Sequence, residues 1–141
     1  MFLRALFHSL VITTCICLLA VAFLSSSSAA AQAPGADAAA HKAWMNDASD
    51  AQEDFRFAVT DKDQKAAVEA LGKLDALMAR TEDYWTAKKA ADGVKLAKDA
   101  RALAVQSSTA AKGGNLTAAS TAFEKMGATC NTCHELHLEK R

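Results

Sequence analysis

Residues 130–134 read Cys130-Asn131-Thr132-Cys133-His134, two thiols and an imidazole within one short stretch. Two thiols three positions apart can each add across one of the two vinyl groups of a haem, forming two thioethers. The histidine that follows is then held under the iron as its proximal ligand. Cysteine and histidine are both rare, so a chance match to C-x-x-C-H in a chain this long is on the order of one in a thousand. Two other chemistries use a cysteine pair at this spacing. A thioredoxin-like pair needs a βαβ setting and a helix start. Zinc needs four ligands, and only Cys130, Cys133 and His134 or His137 lie close together in the chain. Haem attachment accounts for all three residues of the motif.

The elements that must carry this motif read as helices. After Pro34 the chain has no proline, and after Ile16 no isoleucine, while alanine recurs throughout. That composition suits helices, whose propensity scale puts Ala first and β-branched residues lower. Apolar spacing predicts a first helix over 38–59, with His41, Trp44, Met45, Ala48, Gln52, Phe55 and Val59 on one side. Thr60-Asp61-Lys62-Asp63 ends it. A second helix is predicted over 63–80, on the stripe Val68, Leu71, Leu74 and Leu77 or Met78, with Thr81-Glu82-Asp83 as the next cap.

A third helix, over 82–112, carries Tyr84, Trp85, Val94, Leu96, Leu103 and Val105. Gly93 inside it marks a kink or a close backbone contact. Gly113-Gly114-Asn115 closes that helix with an αL-tolerant cap. The fourth, over 116–139, aligns Leu116, Ala119, Phe123, Met126, Cys130, His134 and His137. Short connections between amphipathic helices predict an all-α, antiparallel up-down-up-down four-helix bundle, enclosing one covalently attached haem c. Its alanine-rich core is short of large side chains, and a bulky apolar insert would complete it.

The amino-terminal segment differs in kind. Arg4 and an apolar run over 10–24 lead through Ser25–Ser28 to Ala29-Ala30-Ala31, the layout of a signal peptide cleaved after Ala31. The run is short against the ~20 residues of a membrane span. Cys15 and Cys17 lie inside it rather than at its end, which argues against a lipoprotein. The expected organisation is a leader over 1–31, a disordered tail over 32–37 and the helical domain over 38–141, exported to the periplasm. Cys130 and Cys133 are then the only cysteines left, too close together to form a disulfide framework. The whole chain holds 16 basic and 16 acidic side chains, and without a basic surplus nucleic acid is excluded as a partner.

The attachment motif near the end of the chain, the four-helix periodicity and the leader together resemble the cytochrome c′ and cytochrome c-556 family of class II c-type cytochromes. The firmest part of that resemblance runs from 113 to 134. It implies a bundle around one haem in the bacterial periplasm, often as a homodimer. The family often carries a basic residue four positions after the haem histidine, where this chain has Leu138.

In low-spin relatives a methionine of the first helix caps the iron, whereas in cytochrome c′ an apolar residue leaves it five-coordinate. Met45 and His41, one turn apart on the first helix, are the candidates here. Three outcomes stand open: Met45 as ligand, no protein ligand, or His41. Met126 and Met78 read as core, and His137 as partly exposed and able to modulate the proximal side. Trp44, Phe55, Tyr84, Trp85 and Phe123 read mostly as core, with one able to stack on the macrocycle. Arg56, Arg80, Arg101 and Lys125 are possible partners for the haem propionates.

Two functions follow. One is a periplasmic electron carrier that cycles between Fe(III) and Fe(II) and docks to redox partner proteins. The other is a five-coordinate protein that binds nitric oxide or carbon monoxide. No acid–base or nucleophile constellation marks an enzyme.

Overall fold

The computed structural model describes residues 37–137. The leader over 1–31, with His8, Cys15 and Cys17, lies outside the described residues, as do 32–36 of the tail and Leu138. Among the described residues the secondary structure is four helices and no strand: α1 (Ala38–Thr60), α2 (Gln64–Ala87), α3 (Ala91–Lys112) and α4 (Leu116–His137). Close backbone contact runs between sequential helices, α1 with α2, α2 with α3 and α3 with α4. With three-residue connections this is an antiparallel four-helix bundle. None of the described helices is long and apolar enough to cross a membrane.

All three corners close in the same way. After α1, Lys62 takes a left-handed conformation (φ 58°), and the N–H of Asp63 donates to Ala58 O at 2.8 Å. After α2, Lys89 does the same (φ 58°) and Ala90 N–H donates to Trp85 O at 3.0 Å. After α3, Gly114 has φ 77° and Asn115 N–H donates to Ala110 O at 3.0 Å. These are Schellman closures, in which the chain turns left-handed once and satisfies the last carbonyls of the helix. Only the third uses glycine, the residue that enters this conformation without steric cost.

The residue after each turn starts the next helix. Asp63 Oδ1 accepts from Ala66 N–H and Asn115 Oδ1 from Ala118 N–H, both at 2.9 Å. Ala90 has no side chain to offer, and α3 starts without a cap.

The second corner corrects two expectations. Thr81-Glu82-Asp83 is not a cap: Thr81 is buried in α2, its hydroxyl donating to Leu77 O at 2.9 Å. The helix continues to Ala87, so Tyr84 and Trp85 belong to α2. Gly93 accordingly sits in the first turn of α3. The close contact expected there is present, because a Cβ on Gly93 would lie 2.6 Å from Cγ of Trp85.

The core also differs from the expected stripe of α3. Val105 is 48% exposed, and the inward face is Ala97, Ala100, Ala104, Ser107 and Ala111. This face follows helical spacing with small groups alone, which lets α2 and α4 pack close to α3. Their larger side chains fill the interior: Leu71, Leu74, Leu77 and Met78 from α2, Phe123 and Met126 from α4, with Phe55 from α1.

Candidate functional site

α1 and α4 meet at one end through Phe55 and Phe123, whose ring centroids are 4.4 Å apart. At the other end a cavity of about 780 Å³ lies between the amino-terminal half of α1, the carboxy-terminal halves of α2 and α4 and the start of α3. That volume falls within the roughly 300–1,000 Å³ of cofactor and small-molecule sites. His41 and Met45 reach it from α1, Met78 from α2, and Met126, Cys130, Cys133, His134 and His137 from α4. These are all the methionines, cysteines and histidines among the described residues.

Two of them were expected only as core. Met78 and Met126 are indeed buried, at 6% and 1% exposed, but they are also cavity wall. Their helical spacing marks them as inward-facing and says nothing about which part of the interior they meet.

The cysteine pair lies in the last two turns of α4, both thiols half-buried and free. Burial, and then the neighbouring Cys133, pushes the Cys130 thiol up to about 11. Burial and the charge of Asp92 raise Cys133 as well. A redox-active C-x-x-C pair has the opposite character, a thiol lowered by a helix N-terminus or a nearby cation. His134, next to the pair, is exposed.

His137 is partly exposed. Its side chain is 16% exposed, and Nε2 lies 3.1 Å from Asp92 Oδ2, at ion-pair distance without the alignment of a hydrogen bond. Its ring packs on Trp85 at 4.4 Å between centroids.

The two candidates on α1 are in different surroundings. His41 is stacked on Tyr84 at 4.0 Å with the rings 3° from parallel, and it meets Trp85 edge-on at 5.6 Å. Met45, one turn later, is half-buried against the main core and faces the same cavity.

Of the four cations expected to reach a haem propionate, none lines the cavity. Arg56 lies over the Phe123 ring at the far end, 5.3 Å from its centroid. Arg80 lies over Trp44 at 5.9 Å, and Arg101 Nε is 2.7 Å from Asp75 Oδ1. Lys125 is exposed. The lysine or arginine that does line the wall is Lys42, and among the described lining residues there is no Asp or Glu. Its position one residue after His41 on an apparently solvated face gave no sign of this role.

The residues present fit a haem. Thiols, an imidazole and a thioether are the donors that such a group takes, and the wall carries a cation and no carboxylate to oppose two propionates. Trp85, 7% exposed in the cavity wall, has an indole N–H with no hydrogen-bond partner. A buried donor of this kind is ordinarily satisfied, and an anionic guest would supply the missing acceptor. The arrangement is thus a four-helix bundle with a soft-donor cavity at one end. Compared with protein-family models, curated proteins and solved structures, the chain matches none of them.

Proposed function

We propose that this chain is a periplasmic c-type cytochrome of the class II kind, a carrier of single electrons with one haem joined to Cys130 and Cys133 and ligated by His134. The observation that supports it best is the convergence of every described methionine, cysteine and histidine on one cavity sized for a cofactor. When bound, the haem supplies the Fe(III)/Fe(II) couple. The protein binds it, orients it and excludes water.

Met45 is the proposed distal ligand. For His41 to reach iron it would leave its stack on Tyr84, an aromatic contact of about 0.5–1.5 kcal/mol, while Met45 gives up no such contact. A methionine ligand would raise the potential of the bound haem, within a range of ~0.8 V set by ligand identity. Lys42 and the Trp85 indole are the groups proposed to meet the propionates.

Co-expression with cytochrome maturation machinery tests the attachment: the product should weigh one haem more than the polypeptide and show a Soret band. The ferric protein should be low-spin at neutral pH, and Met45→Ala should make it high-spin, read by electron paramagnetic resonance. A purely high-spin wild type with rapid carbon monoxide uptake would instead favour the five-coordinate gas binder.

A further inference from the structure

His137 belongs neither to the attachment motif nor to the distal pair, yet it occupies a built socket. Trp85 of α2 forms one wall, 4.4 Å from the His137 ring and tilted by 38°. Asp92 of α3 forms the other, with Oδ2 3.1 Å from Nε2. Gly93, beside Asp92, is what lets Trp85 lie there: its Cα faces the indole, where a Cβ would come within 2.6 Å. The first turn of α3 therefore holds His137 twice, directly through Asp92 and indirectly through the indole laid over Gly93.

Trp85 also touches the opposite helix. Its ring meets His41 of α1 at 5.6 Å, edge-on. At this end of the bundle α1 and α4 are thus tied through one indole, with His41 on one side and His137 on the other. Met45 lies one turn from His41, and His134 one turn from His137.

We infer that His137 is a positioning residue, seated between Trp85 and Asp92 so as to fix the last turn of α4, and with it His134, relative to the helix that carries Met45. The inference rests on the haem reading above. An aromatic contact is short-ranged, so loss of the His137 ring frees the terminal turn while the attachment chemistry at Cys130 and Cys133 stays the same. His134 and Met45 then no longer share a fixed separation.

The test compares His137→Ala and His137→Phe in the haem-loaded protein at equal haem content. His137→Ala should broaden the low-spin ferric signal, admit a high-spin fraction and speed carbon monoxide binding about three- to tenfold, the factor that an aromatic pair carries in an equilibrium. His137→Phe keeps the ring contact and should restore most of the wild-type spectrum. A His137→Ala protein that loses thermal stability but keeps the wild-type spectrum, potential and carbon monoxide rate would overturn the inference. A wild type that takes up no haem overturns the cofactor reading instead. The socket is then tested in the same haem-free chain by hydrogen exchange: the last turn of α4 should lose protection in His137→Ala, and unchanged protection would count against it.

Discussion

The end of the bundle where α1 turns into α2 and α3 into α4 differs from the end that holds the cavity. At the first, Phe55 and Phe123 pack ring against ring, and Asp63 and Asn115 cap the helices they start. Buried Ser107 donates to Ala119 O at 2.7 Å, and Gln64 Nε2 to Lys112 O at 3.0 Å, so neighbouring helices are also joined by polar contacts. At the cavity end α3 starts without a cap and a buried indole N–H is left unpaired. A small separate core of Tyr84, Trp85 and Ala97 is what packs there. The Phe55–Phe123 contact and these two interhelical polar bonds stand at one end, and the donors that can do chemistry are at the other. Local stability of a fold need not be uniform, and binding regions are drawn from its weaker parts.

The strongest way to break this contrast is Phe123→Ala. Loss of a buried aromatic ring at the closed end should cost about 3–5 kcal/mol in urea unfolding of the haem-free chain. Met45→Ala, at the half-buried cavity wall, should cost far less there. Equal losses would mean that packing does not distinguish the ends.

Alkaline pH should act on the other end. In the haem-free chain the fold holds the Cys130 proton up to about 11, against an ordinary value of 9.0. The stabilisation from keeping that thiol neutral is whole below the ordinary value and is lost as pH rises toward the folded one. Unfolding free energy should fall by roughly 1–3 kcal/mol across that window, and Cys130→Ser should remove most of the fall. Hydrogen exchange should show the loss first in the last turns of α4.

The smallest expected effect sharpens the comparison. Ala90→Asp gives α3 the cap that α2 and α4 already have, and should raise stability by about 0.5–1 kcal/mol. No change in the urea midpoint would show that the cavity-end corner is not limited by its missing cap.

Much of this was legible beforehand, and the exceptions have physical causes. The turns at Thr60–Asp63 and Gly113–Asn115 announce themselves because Asp, Gly and Asn are turn and cap formers. The turn at Lys88–Ala90 is made by backbone hydrogen bonds around a left-handed lysine, which no residue type signals. Thr81-Glu82-Asp83 has cap-forming residues, yet Thr81 turns its hydroxyl back onto Leu77 O inside the helix. The C-x-x-C-H spacing at 130–134 was plain, and Cys130, Cys133 and His134 all line one cavity. The stack of His41 on Tyr84, the socket of His137 and the approach of Lys42 to the cavity were not, since each depends on how two or more helices are rotated against one another.

The order of the corners leaves one side of the bundle without a loop. Loops join α1 to α2, α2 to α3 and α3 to α4, so among the described residues no peptide link crosses from α1 to α4 along their shared seam. The two outer helices meet along that seam through side chains, Phe55 on Phe123 at one end and the Trp85 indole between His41 and His137 at the other. A guest of the cavity proposed above would meet no loop along that side of the bundle.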